Sequence, residues 1–517
     1  PHPAFDTTYY YSLRPDAKES SLTPLEHFFL FGELEQLSPT ALFDTEYYLE
    51  LRPNLRGASI SAFRHFIEHG YKEGGSPSPF FNTDYYFHPD LRALKFRVNP
   101  ISHYIKEGQG ESRSPNPFFD PDYYLSQLST SDKKNLKDPL SHYITWGETS
   151  ELKPHPLFDT VFYKFRLAKT GSQPNGLLRH FYAIGFENSF MTHPLLEPGY
   201  CLAQLPYDGD KPDAKLLPFY AESTYGATKN PHPLFDAKFY RSQLTADVPG
   251  HINPLIHYVK TGCAQGLSTH PEFDPKYYIA QDLDPVLKEG QSPAIHYIYH
   301  GAQKERWPNR TIEQLTFKPR MSLVLLIDKP EFNFLSGRIL AVMSQLYPRW
   351  RLSVIVRNPD GSDGYQYAKA LAADDSRIDW IETDDKDSSA TLLNLALERS
   401  ADEYLVFVDE QMYLKAFALL VFVRQLNRNP DLILIHTDRN KNDPDAMPIE
   451  VPGSEFNSLS ARIFIGPLAC FKRSLINQMG GLGTWHQTVY NKHFLTHYLH
   501  QASSNSIAHV SEPLHYT

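Results

Sequence analysis

Aromatic and polar positions along the first part of the chain fall into a phrase that repeats. Phe-Asp-x-x-Tyr-Tyr, with small variations, starts at Phe5, Phe43, Phe81, Phe119, Phe158, Phe235 and Phe273, and a worn copy starts at Leu196. Successive starts lie 38 or 39 residues apart. A second phrase, His-Tyr or His-Phe, follows 22 or 23 residues later, at His27, His65, His103, His142, His180, His257 and His296. Five residues after each of these histidines stands a glycine: Gly32, Gly70, Gly108, Gly147, Gly185, Gly262 and Gly301. Phe219-Tyr220 holds the histidine's place in the worn sixth copy. Self-similarity at a fixed period is the mark of a repeat architecture.

Each unit predicts two short helices. Asp6 and its equivalents are good N-caps, because a carboxylate accepts from the free N–H groups of the first turn. The Tyr pair supplies the apolar face, and a proline such as Pro15 or Pro53 stops the helix. The second helix often opens on proline (Pro24, Pro100, Pro139, Pro254, Pro293), which suits the first helical position. It closes at the glycine, expected here in the left-handed C′ conformation. So short a unit cannot bury its face alone, but stacked neighbours can. The prediction is an α-solenoid of eight two-helix repeats over residues 1–310, starting near 5, 43, 81, 119, 158, 196, 235 and 273. A changed curvature is expected at the sixth, and the concave surface is expected to take a protein or a glycan as partner. One histidine per repeat makes a row rather than a metal cage, since helices in contact lie about 8–10 Å apart and zinc takes each nitrogen at about 2 Å. The histidines are therefore expected to be structural, bonding to the neighbouring unit.

After a linker at 311–319 the pattern changes. Strand-like runs at Ser322–Ile327, Leu352–Val356, Ile378–Ile381 and Tyr404–Val408 alternate with helix-like stretches at Leu335–Leu346, Ala390–Ser400 and Leu414–Asn427. That alternation predicts an α/β, Rossmann-like domain with a mostly parallel sheet over 320–517. Such sheets bind ligands at the carboxyl ends of their strands.

Composition narrows the partners. The net charge of −10 offers no electrostatic reason to expect nucleic acid or an anionic membrane. The longest apolar runs, Met321–Ile327 and Phe417–Val423, are seven residues each, against about 20 for a membrane helix, so no transmembrane segment is expected. Cys201, Cys263 and Cys470 are far apart and odd in number, which points to a reducing compartment. The expected location is cytoplasmic, peripheral to the inner membrane. The chain opens Pro-His-Pro without a Met, and is read as cut from something longer.

Several phrases of the C-terminal region, in order, resemble the family 2 (GT-A) glycosyltransferases. They are Ser344-Gln345-Leu346-Tyr347-Pro348-Arg349-Trp350-Arg351-Leu352, Asp374-Asp375-Ser376-Arg377-Ile378, and Asn394-Leu395-Ala396-Leu397 followed by Glu403-Tyr404-Leu405-Val406-Phe407-Val408-Asp409. Then come His436-Thr437-Asp438, Gly466-Pro467-Leu468-Ala469-Cys470 with Gly480-Gly481, and Pro513-Leu514-His515-Tyr516. The repeats themselves look like those of bacterial proteins that also carry glycosyltransferase domains. The resemblance implies a GT-A fold, a nucleotide-sugar ligand or donor, and a Mn2+ or Mg2+ ion to neutralise the departing diphosphate.

Measured against that family, three features are weak. The metal motif D-x-D reads Asp409-Glu410-Gln411, and a neutral amide is a poor substitute for a carboxylate on a hard cation. Asp409 and Glu410 are either a weak metal site or an acidic strand end. No carboxylate follows Gly480-Gly481 to serve as base. His486 is the candidate there by its ordinary pKa, or else a surface loop residue. Asp360, in Asp360-Gly361-Ser362, either contacts the nucleotide base or shapes a turn. The resemblance implies a nucleotide-sugar site at Asp360, Asp409 and Asp438. The reading is a bacterial surface-polysaccharide protein with a degenerate, inactive GT-A domain and a repeat scaffold. Two alternatives stand beside it: an active glycosyltransferase with an unconventional site, and the non-catalytic part of a longer multidomain glycosyltransferase.

Overall fold

The computed structural model describes residues 2–204 (except 59, 89, 135 and 175), 228–281, 287, 291–328, 332–384, 387–438, 449–450, 462–463, 468–482, 492–499 and 506–516. It divides into two compact units. The first takes in the residues up to Glu187 and Met191–His193. The second takes in Asn188–Phe190 and, from Pro194 onward, the later repeats together with the α/β domain.

The complete repeats share one plan, and the fourth serves as example. Asp120 accepts the Tyr123 N–H at 2.9 Å and opens the helix Pro121–Ser126. Asp138 accepts the Ser141 N–H at 2.7 Å and opens Pro139–His142. That helix widens into a π turn, Tyr143–Gly147, closed by a bond from the Glu148 N–H to the Tyr143 carbonyl at 3.0 Å. The Tyr124 hydroxyl bonds to His142 Nδ1 at 2.6 Å. A Cβ on Gly147 would overlap that same hydroxyl.

This Tyr–His–Gly clasp recurs as Tyr10–His27–Gly32, Tyr48–His65–Gly70, Tyr86–His103–Gly108, Tyr163–His180–Gly185, Tyr240–His257–Gly262 and Tyr278–His296–Gly301. It corrects two expectations. The histidine bonds within its own unit, to the second Tyr of the pair. The glycine is not left-handed: none of the seven has a positive φ. A side chain is excluded because a buried phenol already fills its place. The link between neighbours is instead a backbone bond, from the N–H of each first-helix cap to the next connector: Asp6 to Pro39, Asp44 to Pro77, Asn82 to Pro115, Asp120 to Pro154. Within the first unit, ion pairs also join non-adjacent repeats, Lys137 to Asp6 at 2.9 Å and Arg179 to Asp44 at 3.3 Å.

The α/β domain is built on strands β1 (Met321–Ile327), β2 (Trp350–Arg357), β3 (Ile378–Thr383), β4 (Tyr404–Val408), β5 (Tyr413–Leu414), β6 (Leu434–Thr437), β7 (Ile449–Glu450), β8 (Arg462–Ile463), β9 (Ala469–Lys472), β10 (Ile507–Val510) and β11 (His515–Tyr516). Seven form one sheet in the order β10-β6-β9-β4-β1-β2-β3. All its pairings are parallel except those of β9, which runs antiparallel between β4 and β6. This is the mostly parallel sheet the strand–helix alternation predicts. β1 and β4 are buried on both faces, as a helix-covered sheet requires. β5 and β11 pair separately, bringing the C-terminal segment beside the loop that follows Asp409.

The later repeats pack on this domain. The Tyr297 hydroxyl donates to the Gln345 carbonyl at 2.8 Å, and Arg424 grips Glu272 with two bonds of 2.8 and 3.0 Å. Phe190 stacks on Tyr367 with ring centroids 4.3 Å apart. The sixth repeat contributes the helix Pro198–Leu202, capped by Glu197, which is fully buried. Its carboxylate lies where a Cβ on Gly337 would stand, in the helix Leu335–Met343.

Candidate functional site

In a parallel sheet the strands deliver their last residues to one edge, where ligands of α/β folds bind. β1 ends into Asp328, β2 at Arg357, β4 into Asp409-Glu410, and β6 into Asp438. β10 places His509 beside β6 in register with His436. Four acids and one arginine therefore meet at this edge, and their contacts decide what each can do.

Glu410 turns toward β1 and accepts the Asp328 N–H at 3.0 Å. The Asp328 carboxylate takes a bond from Arg357 Nε at 2.9 Å, and Arg357 also donates to the Asp387 carbonyl at 2.8 Å. Asp409 accepts the Gln411 N–H at 2.8 Å, folding the motif back on itself. Among the described residues, no three acids, histidines or cysteines converge as a cation cage. A hard divalent ion wants several oxygens at 2.0–2.6 Å, and the described donors do not fit one.

Asp360 is exposed and accepts the Ser362 N–H at 2.8 Å. With Asn358 and Gly361 at positive φ (51° and 72°), it forms a tight turn after β2. His486 lies outside the described residues, as do Gly466, Pro467 and the segment 483–491. The structure thus brings Asp409, Glu410 and Asp438 to one edge and puts Asp360 in the turn that follows β2 at that same edge.

Two residues at this edge escaped the reading of the sequence. Arg357 is the last residue of β2, and its ion pair with Asp328 depends on β1 and β2 being neighbours. His509 Nε2 lies 2.5 Å from Asp438 Oδ1. His436 stacks on the His509 ring, centroids 4.8 Å apart and planes within 23°. Burial holds the pKa of His436 down at about 4, with a further push from His509, so its ring is neutral at ordinary pH. A histidine inside a short apolar strand beside a strand ending in Thr-Asp was the available signal. It gains meaning only once β10 and β6 are known to pair.

No family model matches the chain. It is similar to the O-antigen biosynthesis protein RfbC of Myxococcus xanthus, 24% identical over 211 residues, or 40% of this chain and 16% of that protein. It is also similar to protein y4gI of Sinorhizobium fredii, of uncharacterised role, 21% identical over 221 residues, or 42% of this chain and 24% of that one. The match thus spans a quarter or less of the length of these curated relatives. Among solved structures it is similar to the mannosyltransferase PcManGT of Pyrobaculum calidifontis, in complex with GDP-Man and Mn2+, at 18% identity and a TM-score of 0.29. That likeness covers 43% of this chain and 65% of the other. TarS of S. aureus (residues 1–349) matches at 14% identity and a TM-score of 0.29, over 38% of this chain and 59% of that one. No helix among the described residues is long and apolar enough to cross a membrane.

Proposed function

We propose that the chain is a glycosyltransferase-type protein of bacterial surface-polysaccharide assembly. Its α/β domain takes a nucleotide sugar at the carboxyl edge of the sheet, with a degenerate metal end, and its repeats carry a protein or glycan partner. The order of the GT-A-like phrases along the seven-stranded sheet supports the donor class. The observation that carries the degenerate metal end is the use of Glu410: it caps the Asp328 N–H while Gln411 stands where a second carboxylate belongs.

The test is thermal shift of the full chain with a panel of UDP-, GDP- and dTDP-hexoses, each with Mn2+ and with EDTA. Stabilisation by at least one donor, of equal size in both conditions, is the expected result. Stabilisation that vanishes in EDTA would overturn the degenerate metal end, and no stabilisation by any donor would overturn the donor class. A second reading, turnover at an unconventional site, is favoured by the His509–Asp438 pair.

A further inference from the structure

We propose that His509, held by Asp438, is the general base that takes the proton of the acceptor hydroxyl. This rests on the donor-binding reading of the carboxyl edge and adds the acceptor side to it.

The pair sits on the ends of adjacent parallel strands. The Asp438 N–H bonds to the Val510 carbonyl at 3.1 Å, so the backbone fixes both residues in register. Asp438 engages Nε2, which makes Nε2–H the donor and leaves the Nδ1 lone pair as the basic site. This is the nucleophile-activating logic of an imidazole oriented by a carboxylate. The groups recorded against the imidazole are the Asp438 carboxylate, which stabilises the imidazolium once formed, and the neutral His436 ring, which does not repel it. Both side chains of the pair are about half exposed, at 49% and 45%. An exposed pair of this kind contributes little to folding, so stability is a poor reason for its geometry. Exposure is what a base serving an incoming hydroxyl needs.

Position agrees with the role. β6 is separated from β4 by β9 alone. Neighbouring strands lie about 4.8 Å apart, so Asp438 stands roughly 10 Å along the edge from Asp409. A donor with its diphosphate at the β4 end and its sugar laid along the edge turns the face of the anomeric carbon opposite the diphosphate toward the β6–β10 end. In the step, the acceptor oxygen bonds to the anomeric carbon as the bond from that carbon to the diphosphate oxygen breaks. The nucleoside diphosphate leaves with the electron pair, and the hydroxyl proton goes to His509 Nδ1.

The experiment measures release of free nucleoside diphosphate by the full chain from the same UDP-, GDP- and dTDP-hexoses, with water or a panel of free hexoses as acceptor. Donor affinity is followed in parallel by calorimetry. We expect slow release by the wild type, and a fall of about 100-fold or more in His509→Ala with donor affinity unchanged. Added imidazole should restore part of that loss in His509→Ala and not in the wild type. Asp438→Asn should lower kcat by a larger factor than any change in donor affinity, as a positioning residue does. Release by His509→Ala at the wild-type rate overturns the proposal, as does donor binding by a wild type that releases nothing. Either outcome leaves the donor-binding reading intact. No donor binding at all overturns both.

Discussion

Replacing Gly108 by alanine tests the clasp at the centre of the repeat. The Tyr86 hydroxyl bonds to buried His103 Nδ1 at 2.8 Å and occupies the place of the missing Cβ. Forcing a methyl into that contact costs about 1–3 kcal/mol of overpacking. Displacing the hydroxyl leaves buried polar groups unpaired, for about 1–3 kcal/mol more. Gly108→Ala should therefore destabilise the first unit by about 2–6 kcal/mol. Two residues on, Gly110 is exposed, and the nearest atom to its Cβ is the Glu107 carbonyl at 3.5 Å. Gly110→Ala should stay within about 0.5 kcal/mol of wild type. Tyr86→Phe makes room for the methyl while losing the bond to His103, at a cost of about 1–2 kcal/mol. The double variant Gly108→Ala/Tyr86→Phe should then cost little more than Tyr86→Phe alone, a coupling of about 2 kcal/mol. The assay is equilibrium urea unfolding of all four proteins followed by circular dichroism. If Gly108→Ala costs only about 1 kcal/mol and adds to Tyr86→Phe within about 0.5 kcal/mol, the glycine serves backbone conformation alone and the clasp is wrong.

Further outcomes follow from buried charge. Glu197 is fully buried, and burial holds its pKa up to about 7, only partly offset by the N–H groups of Tyr200 and Gly199. The folded state thus keeps this proton more tightly than the unfolded chain does. Its stability contribution is complete below about pH 4.5 and is lost as pH rises to about 7, by about 3 kcal/mol. Melting temperatures from pH 4.5 to 8 should fall less steeply in Glu197→Gln than in wild type, and parallel curves would refute this. Arg377 donates to the fully buried Asp375 and lies 3.7 Å over the Trp350 ring. Arg377→Ala should cost about 3–5 kcal/mol in urea unfolding by stranding a buried carboxylate. Arg377→Lys, which keeps the charge but not the planar fork or the stacking, should recover only part of it.

What could be read from the sequence was whatever depends on local pattern. The caps at Asp44, Asp159 and Asp274 stand where the repeat phrase put them. Tyr404–Val408 is a strand with the predicted bounds. What could not be read depends on partners far along the chain. The helical pattern over Leu414–Asn427 is cut at its start because Tyr413-Leu414 pairs with His515-Tyr516, and the helix begins at Ala418. Periodicity marked the seven glycines and pointed to a left-handed C′ position, and only the Tyr hydroxyl above each one shows why a side chain is excluded. The acid motif after β4 was visible as letters. That Glu410 points to the Asp328 N–H follows from the pairing of β1 with β4, which no local pattern encodes.

The worn sixth repeat follows from the same packing logic. In the other repeats a tyrosine hydroxyl lies over a glycine of its own unit. In the sixth, the described glycine is Gly199, and the hydroxyl lying over it belongs to Tyr413 on β5. The second Tyr of the worn phrase, Tyr200, keeps its burial but packs edge-on against Tyr516 of β11, with ring centroids 5.3 Å apart, and also meets Tyr413. The cap, an Asp or Asn in the other repeats, is here Glu197, fully buried against the helix Leu335–Met343. A repeat that stacks only on other repeats keeps the common phrase because its neighbours are copies of itself. One whose cap and tyrosine themselves meet a different domain, as Glu197 and Tyr200 do, must match that domain's shape. Loss of the phrase at Leu196 therefore marks a seat for the α/β domain. Through β5, that seat reaches the strand that begins four residues after Asp409.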